Sequence, residues 1–199
     1  MKQPNALVIF ARNLVYGQVK TRLAATIGAD RAYETYKQLL VHTNRVVQHC
    51  AADKLIFYSE EAVTGDLWDA RFSREVQLGA DLGERMQNAF AAVFQKGYVN
   101  TVLIGTDCPA LSEHIVQRAF DELEGHDVVI GPADDGGYYL LGMNAPHPEL
   151  FTGIAWSTER VFETTTVICD RLGLRYAILP SLPDIDEEKD LVHLKLLVV

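Results

Sequence analysis

The sequence predicts an α/β domain on a mostly parallel, mixed sheet, and three observations carry that reading. Short apolar runs rich in β-branched and aromatic residues recur along the chain. Stretches with helical spacing lie between them, and the loops that follow the runs carry acids, cations and glycines. Strand and helix in alternation is the pattern of βαβ crossovers, which place helices on both faces of a parallel sheet. The 199 residues suit one domain, 1–199, with a sizeable core.

In chain order, residues 7–10, 55–58, 101–104, 128–130 and 138–141 read as buried strands. Tyr33, Tyr36, Leu39, Leu40, Thr43, Val46 and Val47 recur at helical spacing, as do Leu82, Met86, Phe90, Val93 and Phe94. Ser112 is placed to cap a helix through Ile115, Val116, Ala119 and Phe120, and another helix runs through Val161, Phe162 and Val167. The strand at 138–141 follows its predecessor too closely for a crossover helix, so an antiparallel strand is expected there and the sheet is mixed. The apolar ending Leu194-Lys195-Leu196-Leu197-Val198-Val199 is expected to pack on the core rather than on a partner subunit; the chain is read as a monomer or homodimer.

Composition narrows the function classes. With 48% hydrophobic and 23% charged residues the chain is globular, and a net charge of −9 repels phosphate backbones, so nucleic acid is not expected as a partner unless the charge is very unevenly distributed. Cys50, Cys108 and Cys169 are odd in number and lack CxxC spacing, so no disulfide framework or zinc cage is indicated and a reducing cytoplasm is expected. The apolar run at 5–10 is too short for a secretion signal or a membrane span. The six histidines show no ligand spacing, and no arrangement for nucleophilic hydrolysis emerges.

Four loops carry the candidate chemistry, each at the end of a strand or the start of a helix. After the first strand comes Arg12-Asn13-Leu14-Val15-Tyr16-Gly17-Gln18-Val19-Lys20-Thr21-Arg22-Leu23. Gly17 permits close backbone approach, and Lys20 and Arg22 offer cationic donors to a diphosphate, although a turn with two surface cations is an equal reading. Neither a Walker loop nor a dinucleotide fingerprint is present. In Ile104-Gly105-Thr106-Asp107-Cys108-Pro109 a strand ends in an acid. A carboxylate at that edge points into the ligand crevice of an α/β sheet and suits Mg²⁺ or Mn²⁺ held by phosphates. Asp107 is therefore the leading metal ligand.

Gly131-Pro132-Ala133-Asp134-Asp135-Gly136-Gly137-Tyr138-Tyr139 gives a tight excursion in which Asp134 or Asp135 can meet sugar hydroxyls or act near the metal. Asp-Gly also makes a hairpin turn, and the two tyrosines read as core and strand. In Pro183-Asp184-Ile185-Asp186-Glu187-Glu188-Lys189-Asp190-Leu191, Asp184 and Asp186 share one side of an extended segment and can join Asp107 on a cation. Asp186 is equally well placed as a helix N-cap. Trp156 in Ala155-Trp156-Ser157-Thr158 either walls an acceptor pocket or belongs to the core, with Ser157 or Thr158 capping the next helix.

Taken together, Phe10-Ala11-Arg12, Gly17-Gln18-Val19-Lys20-Thr21-Arg22-Leu23, Asp81-Leu82-Gly83-Glu84-Arg85-Met86, Gly105-Thr106-Asp107-Cys108-Pro109, Asp134-Asp135-Gly136-Gly137-Tyr138-Tyr139, Trp156-Ser157-Thr158 and Asp184-Ile185-Asp186 resemble, in order and over nearly the whole chain, the bacterial DUF2064 family. That family is often labelled a radical-SAM-associated or arsenosugar-biosynthesis-type glycosyltransferase. The resemblance implies a GT-A type, nucleotide-diphospho-sugar transferase fold, shared with guanylyltransferases in which a Lys-Thr-Arg-Leu loop contacts nucleotide phosphates. It implies that Lys20 and Arg22, with Arg12 and Gly17 in the same loop, bind phosphates, and that Asp107, Asp184 and Asp186 hold a divalent metal. Asp81, Glu84 and Arg85 are implied to lie near the nucleotide, or to serve only the start of a helix. The family usually has a proline-rich approach to the glycine, where this chain has Asn13-Leu14-Val15-Tyr16.

The working expectation is metal-dependent transfer from a nucleotide-diphospho-sugar to a small-molecule acceptor. Asp107 and Asp135 are the catalytic candidates, and Asp134, Gly136, Gly137, Trp156 and Ser157 are the acceptor or sugar contacts. The alternatives are nucleotidyl transfer from a nucleoside triphosphate to a phosphorylated small acid, and nucleotide binding without turnover.

Overall fold

All five strands read from the sequence form, and two further strands extend the sheet at its edges. The computed structural model describes residues 4–197. Its strands are β1 (Asn5–Ala11), β2 (Asp53–Tyr58), β3 (Phe72–Val76), β4 (Asn100–Ile104), β5 (Val128–Pro132), β6 (Tyr138–Met143) and β7 (Tyr176–Ile178). Its helices are α1 (Thr21–Ile27), α2 (Ala29–Val47), α3 (Leu82–Gln95), α4 (Glu113–Glu122) and α5 (Val161–Leu172), with 3₁₀ turns at Pro148–Phe151 and Glu188–Leu196. Among the described residues the strands make one seven-stranded sheet in the order β3-β2-β1-β4-β6-β5-β7.

β6 pairs antiparallel with both β4 and β5, and the other pairings are parallel, so the sheet is mixed as expected. β1 lies at its centre, and Ala6, Leu7, Val8 and Ile9 have no exposed surface. Its alternate side chains serve two cores. Leu7 and Ile9 pack with Tyr36, Leu40 and Val47 of α2 and Val116 and Phe120 of α4. Ala6, Val8 and Phe10 pack with Met86, Phe90 and Val93 of α3 and Val161 and Ile168 of α5. Each fully buried aliphatic or aromatic side chain contributes about 1.5–3 kcal/mol, which makes these two layers the main stabilising term. No helix among the described residues is long and apolar enough to cross a membrane.

The helix starts follow the sequence in part. Ser112 caps α4, its hydroxyl accepting the Ile115 amide at 3.4 Å. The N-cap of α5 is Arg160, not Ser157 or Thr158. Thr158 turns its hydroxyl back to the Ala155 carbonyl at 2.7 Å, and Ser157 adopts a left-handed backbone. The last helix is capped by Glu187 in a reciprocal box with Asp190, one residue beyond Asp186. Asp186 instead accepts from Arg22 with its carboxylate at 2.8 Å. At the C-terminal end Leu194 and Leu197 pack on Leu23, Ala32, Leu39 and Ile185, while Leu196 faces outward. Val198 and Val199 lie outside the described residues.

Candidate functional site

Strand direction brings the predicted loops to one edge. The registers Ala11 with Tyr58, Tyr58 with Val76 and Ile9 with Ile104 put the C-terminal ends of β1, β2, β3 and β4 side by side. Ile104 with Leu140, and Gly131 with Leu140, add the end of β5 and the start of β6. From β1 the order runs outward through β2 to β3, then returns to β4 on β1's other flank. The topological switch point of this sheet is thus the β1–β4 gap, where α/β sheets open a ligand crevice.

Two charged loops meet in that gap. Lys20 Nζ lies 2.8 Å from Asp107 Oδ1 and 3.6 Å from Asp186 Oδ1, and Arg22 Nη1 lies 2.8 Å from Asp186 Oδ2. The four side chains form an alternating row, Arg22, Asp186, Lys20, Asp107. Lys20 is buried, with its side chain only 4% exposed, whereas Arg22 faces solvent. The Lys20 backbone is left-handed, φ 48° and ψ 47°, an unusual state for a lysine that supporting structure must hold in place.

A backbone bond explains how residues so distant in sequence come together. The Ile185 amide donates to the Asp107 carbonyl at 3.0 Å, which seats residues 184–186 against the end of β4. Upstream, Leu182 pairs with Ala133 and exchanges backbone bonds with Pro132 and Asp134. Asp184 is half-buried there. Burial, with the Asp135 and Asp107 carboxylates nearby, pushes its carboxyl up to about 6.

The opposite wall is built by close packing. β5 and β6 are joined by the turn Ala133–Gly136, where the Gly136 amide donates to the Ala133 carbonyl at 3.1 Å and the Gly137 amide to Asp135 Oδ1 at 2.8 Å. The hairpin reading of this loop is therefore realised, and Asp134 and Asp135 are exposed at its tip. Ser181 donates to Asp134 Oδ1 at 2.6 Å. Gly136 has φ 86°, and a Cβ there would lie 2.1 Å from the Glu159 carbonyl oxygen. The Phe162 amide donates to the Gly136 carbonyl at 2.9 Å, which docks the hairpin tip on the start of α5.

Trp156 sits partly buried against Phe151 and Tyr138 and lies directly over Gly83, where an added Cβ would meet the indole at 2.1 Å. Asp81 and Arg85 are engaged in the local structure that starts α3. Asp81 caps the helix by accepting the Glu84 amide at 2.9 Å, and Arg85 Nε donates to the Gly79 carbonyl at 3.1 Å. Arg12 and Gly17 are exposed in the loop after β1. The structure thus brings Lys20, Arg22, Asp107, Asp184 and Asp186 together at the switch point, with Asp135 electrostatically coupled to Asp184. It places Trp156, Gly83 and Gly136 in the packing of the other wall.

Among the described residues no three His, Cys, Asp or Glu side chains converge as a ready-made metal cage. The donor chemistry nevertheless fits a divalent cation shared with a ligand. Asp107 and Asp184 are hard oxygen donors near one another, Asp184 partly desolvated and Asp107 half exposed, and Asp186 is paired with Arg22.

The residues that hold these loops in place were not singled out from the sequence. Buried Tyr36 of α2 pins the end of β1 to the end of β4: its hydroxyl accepts the Arg12 amide at 2.8 Å and lies 3.3 Å from Thr106 Oγ1. Buried Asn13 accepts the Glu60 amide and donates to the Glu61 carbonyl. Gln77 donates to the carbonyls of Ala11 and Phe57. Tyr36 read only as part of a helical stripe, and an isolated Asn or Gln carries no spacing signal.

A family profile described as "Uncharacterized protein conserved in bacteria (DUF2064)" matches residues 40–158, more than half of the chain. The chain belongs to the DUF2064 family. A crystal structure from Desulfovibrio desulfuricans G20, provisionally named a nucleotide-diphospho-sugar transferase, shares 34% identity with this DUF2064 chain over 94% of it and 84% of the other, with a TM-score of 0.87. Two more distant structures share the fold. Rv0371c from Mycobacterium tuberculosis H37Rv is 16% identical over 98% of this chain and 100% of its own, TM-score 0.65. The 2-C-methyl-D-erythritol 4-phosphate cytidylyltransferase of Thermus thermophilus is 16% identical over 100% of both chains, TM-score 0.57. Rv0371c has also been solved in complex with manganese. No curated protein matches the sequence.

Proposed function

We propose that this DUF2064 protein is a nucleotide-utilising transferase that moves a sugar from a nucleotide-diphospho-sugar to a small-molecule acceptor. The observation that carries this reading is the row of Arg22, Asp186, Lys20 and Asp107 at the β1–β4 switch point. A diphosphate needs cationic donors and a place for its counter-ion, and this gap holds both. The name given to the 34%-identical relative points the same way.

Lys20 and Arg22 donate to the phosphate oxygens and stabilise the charge that accumulates on the departing nucleoside diphosphate. Asp107 and Asp184 would hold Mg²⁺ or Mn²⁺, whose chemistry when bound is to neutralise those same oxygens. In the transfer the sugar–phosphate C–O bond breaks with its electron pair leaving on the nucleoside diphosphate, and the acceptor oxygen bonds to the sugar carbon as its proton is lost. Asp135, exposed at the hairpin tip, would contact the acceptor or sugar. Asp134 is oriented by Ser181, and Gly136 and Gly137 shape the turn that presents both acids.

A second reading is nucleotidyl transfer from a nucleoside triphosphate to a phosphorylated small acid. It is favoured by the two cations of one loop, since departing pyrophosphate carries more charge to neutralise. One experiment separates them: purified protein is incubated with nucleotide-sugars or nucleoside triphosphates, plus Mn²⁺, and the released product is identified. Nucleoside diphosphate released from a nucleotide-sugar, even slowly to water, and lost in Asp107→Ala, supports sugar transfer. Pyrophosphate release that is lost in Asp107→Ala selects the second reading. Release at equal rates by wild type and Asp107→Ala removes both.

A further inference from the structure

We infer that Lys20 is a built-in counter-ion for the carboxylates of this site, so that metal and nucleotide bind as a mutually dependent pair. The inference rests on the functional reading above and adds to it the coupling between the site's two ligands.

Three observations support it. Lys20 reaches both Asp107 and Asp186, at 2.8 and 3.6 Å, and so places its single charge between the candidate cation donor Asp107 and the neighbouring carboxylate of Asp186. Its side chain is almost wholly buried, so water does not compensate the ammonium if the carboxylates are taken away. Its backbone is held left-handed, which limits where the chain can send the ammonium. Arg22 repeats the arrangement one step out, covering the other oxygen of Asp186.

In the ligand-free protein a divalent ion arriving alone meets carboxylates that are already neutralised, and it must displace an ammonium that has nowhere else to go. A nucleotide arriving alone meets cations whose charge is already spent on Asp107 and Asp186. When both arrive, the partners exchange: Lys20 and Arg22 turn their hydrogen bonds from carboxylate to phosphate, and the carboxylates turn to the metal. Neither charge is left uncompensated. The coupling is reciprocal, because whatever factor the nucleotide adds to metal affinity the metal adds to nucleotide affinity.

The test measures Mn²⁺ binding by the loss of the free-ion electron paramagnetic resonance signal, with and without a nucleoside diphosphate, after correction for Mn²⁺–nucleotide association in solution. Wild type is expected to bind Mn²⁺ weakly alone and at least tenfold more tightly with the nucleotide. Lys20→Met is expected to bind Mn²⁺ alone at least tenfold more tightly than wild type, and to lose most of the enhancement by nucleotide. Arg22→Gln removes an exposed side chain and so keeps the fold; Mn²⁺ alone should bind it two- to threefold more tightly than wild type. If wild type binds Mn²⁺ and nucleotide together but both variants bind Mn²⁺ alone no better than wild type, the counter-ion role is wrong while the site stands. If wild type binds no nucleoside diphosphate with or without Mn²⁺, both the counter-ion role and the functional reading fall.

Discussion

The two walls of the crevice are held by different physics. At the β1–β4 gap, charged side chains are paired across loops: Lys20 with Asp107, Arg22 with Asp186. At the β5–β6 hairpin and at the neighbouring start of α3, backbone and ring surfaces touch with no room for one more carbon, Gly136 on Glu159 and Gly83 on Trp156. Under the proposed coupling, the first arrangement exchanges partners when a charged ligand arrives. The second cannot move without breaking contacts.

Substitutions should therefore divide by wall, packing changes altering stability and charge changes altering binding. The largest stability effect is expected for Gly136→Ala, which sets a Cβ 2.1 Å from a backbone oxygen at φ 86°. A loss of about 3 kcal/mol is expected by urea denaturation, from backbone strain plus forced separation of the hairpin from α5. A variant as stable as wild type would show that this wall is not rigid.

Gly83→Ala comes next. Glycine to alanine inside a helix normally gains about 1 kcal/mol. Here the sign should reverse, to a loss of about 2 kcal/mol, because the new methyl displaces the Trp156 indole. Combining it with Trp156→Phe should cost less than the two single changes added together. Strict additivity would mean the two residues do not compete for space.

The smallest effect has the opposite sign and belongs to the other wall. The carboxyl of folded Asp184 titrates at about 6, above its ordinary 3.8, so the folded protein holds that proton more tightly than the unfolded chain. The cost in stability therefore builds as the pH rises from about 4 to about 6, where the unfolded chain has lost the proton and the folded one still holds it, stays constant above that, and vanishes below about pH 4. With allowance for its partial exposure to water, Asp184→Asn should stabilise the protein by on the order of 1 kcal/mol at about pH 8 and leave it unchanged at about pH 4. Thermal unfolding at the two pH values reads this directly, and destabilisation at the higher pH would mean that Asp184 is favourably paired in the free protein.

How much of this was legible in the sequence follows the same physics. Buried central strands such as residues 7–10 and 101–104 announce themselves by continuous apolar character, and all five strands read that way form. β3, Phe-Ser-Arg-Glu-Val, and β7, Tyr-Ala-Ile, were missed because edge strands need only a few apolar contacts. The loop chemistry was visible as residue types at strand ends. Their pairing was not, because the approach of residues 184–186 to Asp107 depends on one backbone bond from Ile185, and main-chain bonds leave no mark on composition. Trp156 and Gly83 were both noted in the sequence, but their contact joins residues far apart in the chain and is set by the return of the chain from Pro148–Phe151 to the hairpin tip.

The most direct test of the central claim, that the β1–β4 gap is a nucleotide site, is thermal unfolding of wild type and Asp107→Ala across nucleoside diphosphates, triphosphates and nucleotide-sugars, each with and without Mn²⁺. A ligand at about one hundred times its dissociation constant adds about 2.7 kcal/mol, which for a chain of this size raises the midpoint by about 5–10 °C. The predicted result is a shift of that size in wild type that requires both nucleotide and Mn²⁺ and is absent from Asp107→Ala. No shift with any nucleotide, or an equal shift in both proteins, would contradict it.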